Sequence, residues 1–350
     1  MKMEANVDNG KIIPPPPPRN FDYRKNGLNT IKIIAAIQVL YNHTITHLQL
    51  VVPTWITSVL GFFMGVPIFF MLSGFLIWNS VGKSKGLKEY ASKRFGRIFP
   101  ELWLGVVIEL ICIVLLIDAS IDWLLLAIFA FTQGTVLQFW TPNFLRAYGC
   151  GTPNGSLWTM GVTIQFYIAV WFVYKLLHNK RVWIWVVAIA TSIAIKLSDP
   201  LLELYLPILV YKLWGQTIIK WFWLFIIGAF IGEYREKVLP FLKKTWWLLL
   251  AISILCQYLG FDVGKDSYGL LTYATRVPGL IGLAYCMPHI NLKIDISYGI
   301  YIYHMIIVNI MIELGFVGKI YYLFIVLIIT LLLAFGSYCF AEHIKKKRKD

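Results

Sequence analysis

The chain has 350 residues, of which 58 % are hydrophobic and 14 % charged, with a formal net charge of +14 from 32 Lys and Arg against 18 Asp and Glu. Soluble domains run at about 45–50 % apolar and about 25 % charged, so a mean hydropathy of +0.68 excludes an ordinary soluble protein and implies an integral membrane protein. The basic excess does not imply nucleic acid as a partner, because Lys and Arg sit in short spacers between apolar runs and form no stripe on a globular domain.

Residues 1–27 are polar and carry the run Pro14 to Pro18 where a signal peptide would have its apolar core, so they read as a disordered or polyproline-II extension. A helix needs about 20 apolar residues to cross the hydrocarbon of a bilayer. Ten such runs follow, near 28–50, 58–80, 99–117, 156–177, 181–198, 217–233, 245–260, 270–287, 296–314 and 320–341. Between the third and fourth, residues 118–155 are apolar from Trp123 to Phe131 and then turn polar. This pattern predicts a partial, re-entrant or interfacial helix followed by an outward-facing cap, with a second such stretch at 200–215. The expected fold is an all-α polytopic membrane protein of about ten transmembrane helices, eleven being the alternative count. It comprises a single transmembrane domain over 28–342 and a basic tail over 343–350.

Lys and Arg in short loops report orientation, since cytoplasmic loops hold the excess. Lys83 to Arg97, Lys180 and Arg181, Arg235 to Lys244, and Lys345 to Lys349 fall on one side, while the opposite loops hold little beyond Arg146, Lys212, Lys265 and Lys319. Both termini are therefore expected in the cytoplasm. The five cysteines (Cys112, Cys150, Cys256, Cys286, Cys339) show no metal or disulfide spacing and are expected in the core.

Polar and ionisable groups inside a span cost several kcal/mol unless paired or facing a cavity, which makes them candidates for function. Lys32 and His43 are eleven residues apart in the first span, about 20° beyond three full turns, and so share a helix face with a rise of roughly 16 Å between them. His47 lies one turn further out. A neutral imidazole exchanges protons near pH 7 and suits a general base, whereas the plainer reading of His43 is a hydrogen-bonded core histidine. Gly65, Pro67 and Gly74 in the second span allow close helix approach, with the Ser73 hydroxyl at the crossing. Arg94 and Arg97 project from one face of a helix start; they fit either a phosphorylated ligand, gripped bidentately, or ordinary membrane anchoring. Trp158 opens the fourth span. In the ninth, Ser297, Tyr301 and His304 lie along one face beside Tyr298, and His304 either orients a substrate or makes a structural hydrogen bond.

Together these residues resemble the acyltransferase-3 family of bacterial membrane O-acyltransferases, over about residues 25 to 342. Lys32 with ten residues before His43 is similar to that family's basic-x10-His element, and Gly65 to Ile77 to its Gly-x-x-x-Phe-Phe-x-x-Ser-Gly signature. Arg94, Arg97 and Pro100 match its Arg-x-x-Arg-Ile-x-Pro element. Trp158 with Gln165-Phe166-Tyr167 resembles its fourth-span motif, and Ser297 to His304 its late Ser-Tyr-Gly-x-Tyr-x-x-His signature. Thr163 stands where many members carry Glu two residues before that Gln, so any role of the carboxylate is filled otherwise here or the reaction differs.

The resemblance implies transfer of an acyl group, acetyl by default, from cytoplasmic acetyl-CoA to a hydroxyl of a cell-surface or lipid-linked glycan. The enzyme would sit in the bacterial inner (cytoplasmic) membrane among its lipids, with no metal and with a homodimer open to it. His43 and His304 would be catalytic, His43 as general base or acyl carrier. Lys32, Arg94 and Arg97 would hold the donor's phosphates, and Ser73, Trp158, Tyr298 and Tyr301 would support substrate or structure. Trp55, Trp140 and Trp158 would offer stacking surfaces to a sugar. The alternatives are a permease for a small sugar or anion, with Arg94 and Arg97 as its gate, and a non-catalytic subunit of a polysaccharide assembly complex.

Overall fold

The computed structural model describes residues 7–8, 11–12, 23, 25–138, 140–260, 262 and 269–347. The Pro14 to Pro18 run and the last three residues of the basic tail lie outside them. Apart from a two-residue ribbon pairing Val7–Asp8 with Lys11–Ile12, the regular structure described is helical. The helices are α1 (Leu28–His47), α2 (Thr54–Gly61), α3 (Gly65–Gly82), α4 (Leu87–Leu116), α5 (Trp123–Gln133), α6 (Trp158–Leu177) and α7 (Val182–Leu197). They continue with α8 (Asp199–Tyr205), α9 (Ile208–Trp214), α10 (Ile218–Glu233), α11 (Arg235–Leu259), α12 (Leu270–Cys286), α13 (Ser297–Glu313) and α14 (Tyr321–Lys347).

Seven of these, counting consecutive pairs as one, are long and apolar enough to cross a membrane: α2 with α3, α4, α6, α7 with α8, α9 with α10, α11, and α14. The other three predicted runs are also helices, α1, α12 and α13, of 20, 17 and 17 residues. They are shorter or more polar than the seven for a packing reason. Most of their residues are surrounded by protein, so their side chains answer to neighbouring helices and not to lipid. In the 118–155 segment a short apolar helix, α5, is followed by irregular chain with two 3-10 turns, and the 200–215 stretch is divided between α8 and α9. The cysteines are all free, but none is fully buried and Cys339 is exposed, so the expected core placement does not hold: four lie on partly open helix faces and Cys150 in the irregular chain before α6.

Two glycines set the tightest crossing. A Cβ on Gly74 of α3 would collide with the carbonyl of Phe225, and one on Gly228 of α10 with the carbonyl of Met71, so the two backbones touch and neither position has room for a side chain. Around this contact Phe70, Trp78, Phe166, Trp185, Trp223 and Phe225 form the main core, joining α3, α6, α7 and α10. A second core lies between α1, α13 and α14, and a third between α4, α6 and α13. Helix α13 belongs to both and is the most enclosed element of the bundle. Pro100 removes a backbone donor within α4, immediately after the two arginines of its first turns.

On the far side of the bundle the chain between α5 and α6 is clamped onto α13. The Asn309 amide accepts from the backbone N–H of Cys150 at 2.8 Å and donates to the carbonyls of Thr152 at 3.2 Å and Pro153 at 2.6 Å. Gly149 adopts a left-handed φ of 57° against that same amide, where a Cβ would overlap it. One side chain thus satisfies three backbone groups of an irregular segment, which would otherwise carry unpaired polar atoms.

Candidate active site

A cavity of about 530 Å³ opens where α1, α4 and α13 begin and α14 ends. Six of the nine residues singled out from sequence line it: Lys32, Ser73, Arg94, Arg97, Tyr298 and Tyr301. Each is delivered by a different local rule. Lys32 lies one turn into α1; Arg94 and Arg97 share the exposed first turns of α4; Ser73 precedes the glycine that brings α3 against α10; Tyr298 and Tyr301 follow the start of α13.

The electrostatic centre of the cavity mouth is Asp295, which the sequence patterns did not single out. Its carboxylate pairs with the Lys32 ammonium, accepts from Arg97 Nη2 at 3.1 Å, and accepts from the Ser297 hydroxyl at the start of α13 at 2.6 Å. Burial alone would raise its pKa, but the Lys32 charge, the Arg97 charge and these hydrogen bonds outweigh it and hold the group at about 2. Arg97 keeps 49 % of its side chain exposed while in this contact, so its remaining donors face the open cavity. Arg94 is held differently. Its Nη2 donates to the Ser80 hydroxyl at 3.0 Å, and its guanidinium lies 5.6 Å from the centre of the Tyr167 ring. Glu101, another acid lining the cavity, accepts from Ser337 of α14 at 3.2 Å. Asp295 did leave a sequence signal: it is the lone acid between α12 and α13, two residues before a helix-starting serine.

His43 and His304 do not line this cavity; they meet behind its inner end. His43 Nδ1 lies 2.9 Å from His304 Nε2, and the rings are offset-stacked with centroids 5.1 Å apart. His304 Nδ1 lies 3.0 Å from the carbonyl oxygen of Ile300, one turn back on α13. A carbonyl only accepts, so the neutral His304 ring carries its proton on Nδ1 and offers Nε2 as acceptor. His43 must then donate from Nδ1, which leaves the lone pair of its Nε2 free of any hydrogen bond among the described residues. Tyr301 links the two regions. It lines the cavity, its ring lies 5.9 Å from that of His304, and its hydroxyl accepts from Thr159 at 2.5 Å.

The tryptophans singled out from sequence lie elsewhere. Trp158 is packed between Phe70 and Trp221 in the aromatic core, centroids 6.4 and 5.5 Å away, and presents no face to the cavity. Trp55 is exposed, and Trp140 packs against the small core around Phe129 and Tyr148. Thr163 lines the cavity and donates its hydroxyl back to the carbonyl of Thr159 at 2.8 Å. Gln165 bridges to the turn before α10, donating to Gln216 at 2.8 Å and accepting from the Ile218 N–H at 3.2 Å. No carboxylate contacts the histidine pair among the described residues; the Ile300 carbonyl orients it instead.

Residues 25–339 match the model of a family described as an acyltransferase domain, acyltransferase-3. The chain is 29 % identical to nodulation protein 10 of Rhizobium leguminosarum over 91 % of its own length and 92 % of that protein's. It is 25 % identical to an O-acetyl transferase of Shigella phage Sf6, over 83 % of this chain and 87 % of the other. A shorter stretch, 35 % of this chain and 21 % of the relative, is 29 % identical to the peptidoglycan O-acetyltransferase OatA of Listeria monocytogenes. No solved structure matches the chain.

Proposed function

Because the chain belongs to the acyltransferase-3 family and is a membrane O-acyltransferase, we propose that it moves an acetyl group from acetyl-CoA to a hydroxyl of a cell-surface or lipid-linked glycan, with His43 as general base. The observation that carries this reading is the ordered pair of imidazoles. His304, anchored on Ile300, fixes the tautomer of His43 and leaves its Nε2 lone pair available. As Nε2 takes the acceptor's proton, His43 Nδ1–H keeps its bond to His304, so the developing imidazolium is stabilised without a buried carboxylate. The deprotonated hydroxyl attacks the thioester carbonyl, the C–S bond breaks, and the leaving thiolate takes the proton from His43 Nε2, which releases CoA as the thiol and restores the neutral imidazole.

The donor approaches through the large cavity. Its phosphates engage Arg94 and Arg97 at the mouth, with Lys32 beside them, and the pantetheine arm runs past Ser73 and Tyr301 toward His43. The rise of roughly 16 Å from Lys32 to His43 along α1 suits the length of such an arm. The cavity mouth then faces the cytoplasm, both termini lie on that side, ten helical segments cross the bacterial inner membrane, and the glycan hydroxyl arrives from the opposite side. This agrees with the excess of Lys and Arg at the mouth.

The test is thiol release from acetyl-CoA by purified protein in detergent, with and without a bacterial glycan extract. The expected result is acceptor-dependent release by the wild type and none by His43→Ala. Release in a single turnover before any acceptor is added would replace the base mechanism with an acetyl-histidine intermediate. Unchanged release by His43→Ala would remove His43 from the chemistry.

A further inference from the structure

A second cavity, of about 350 Å³, adjoins the first. Leu76 lines both, and Ser80, which lines the second, receives the hydrogen bond of Arg94, which lines the first. Arg94 therefore stands in the partition between them. The smaller cavity carries three cations, Lys83, Lys93 and Arg235, and among the described residues no acidic side chain lines it. The Arg235 guanidinium lies over the Tyr23 ring, 4.6 Å from its centre, and is fixed by donating to Asn79 Oδ1 at 3.0 Å. Lys83 is exposed and makes no ion pair among the described residues, while Lys93 reaches only Glu89 on its own helix.

A general excess of basic residues at a cytoplasmic face accounts for cations there, but not for their convergence on a concavity with an immobilised guanidinium. Such a guanidinium, one face on tyrosine, presents its other face to a flat π-system. Two lysines without a buried partner supply compact charges for a phosphate. Flat ring and phosphate together describe a phosphorylated nucleoside.

We propose that the smaller cavity binds the 3′-phosphoadenosine end of the acyl-CoA donor, its adenine against Arg235 and its 3′-phosphate on Lys83 and Lys93. This rests on the donor reading given above. Along the molecule the order is then nucleotide in the smaller cavity, pyrophosphate between Arg94 in the partition and Arg97 at the mouth, and pantetheine in the larger cavity. Binding is non-covalent and leaves the transfer chemistry unaltered.

The same phosphate chemistry also fits an anionic lipid headgroup, so the test separates the two. Full-length protein in nanodiscs of phosphatidylcholine, with or without phosphatidylglycerol, is titrated with CoA, with 3′-dephospho-CoA and with pantetheine. The expected result is that the wild type binds CoA about tenfold tighter than 3′-dephospho-CoA in both lipids, and that Lys83→Gln/Lys93→Gln loses this preference while still binding 3′-dephospho-CoA. Equal Kd values for the two nucleotides in the wild type, or a preference that survives the double substitution, overturns the assignment while CoA binding itself upholds the donor reading. A double variant that changes only phosphatidylglycerol retention assigns the cavity to lipid. No binding of CoA by the wild type overturns both the assignment and the donor reading.

Discussion

The cavity mouth and the histidine pair solve the same problem, polar groups inside a membrane protein, in opposite ways. At the mouth, Lys32 and Arg97 share the single carboxylate of Asp295 beside open space, which leaves the trio one cation in excess. Behind it, His43 and His304 are held as neutral rings joined in a chain that ends on a backbone carbonyl. Charge pairs tolerate proximity to water and can exchange partners, whereas a neutral chain has one arrangement in which every donor finds an acceptor. The mouth is thus suited to binding and release, and the pair to holding one atom, His43 Nε2, in one protonation state.

Substitutions separate the two regions by the size and kind of their effects. His43→Ala is expected to lower acyl transfer by at least about a thousandfold, read as thiol release, with the protein still folded in detergent. His304→Ala removes the acceptor that sets the His43 tautomer and should cost roughly a hundredfold in kcat with little change in donor KM. His304→Gln, whose amide oxygen accepts from His43, should recover part of that loss, an outcome that a purely space-filling role for His304 does not produce. Arg97→Gln acts at the mouth and should raise the donor KM about tenfold with kcat nearly unchanged.

The smallest effect concerns stability. Asp295 is held at about 2 in the fold against an ordinary value near 3.8. Its depressed pKa means that its contribution, on the order of 2 kcal/mol, is complete above about pH 4 and is lost as pH falls toward 2. Thermal unfolding of the wild type should therefore converge on that of Asp295→Asn across this window, and the two should differ by a constant amount near neutrality. A gap that persists at pH 2 would place the role of Asp295 outside its charge.

What was legible in the sequence follows from the range of each interaction. Apolar runs are local, so all ten predicted segments are helices, and the eleven-residue spacing of Lys32 and His43 correctly placed both on one continuous helix. Gly74 was legible as a packing residue because a glycine within an apolar helix advertises a close crossing, although its partner Gly228 was not. The pairings themselves were invisible. His43 and His304 are 261 positions apart, and Lys32 and Asp295 are 263, and no periodicity spans such distances. The sequence reading placed His43 and His304 in separate motifs; only the fold brings α1 against α13 and makes one device of them. The group that orients His304 was invisible for another reason: the Ile300 carbonyl is a backbone atom, and every residue possesses one.

The clamp on the far side of the bundle separates one stretch of chain mechanically from the histidine pair. The segment between α5 and α6 is moored to α13 only in its last part, where residues 149–153 meet Asn309 and Glu313 and Asn154 donates to the Ile302 carbonyl at 3.0 Å. Its two moorings are short and the stretch before them carries no part of the histidine chain. The stretch ahead of the moorings can therefore change in length or sequence without loosening the two imidazoles, which rest on α1 and α13.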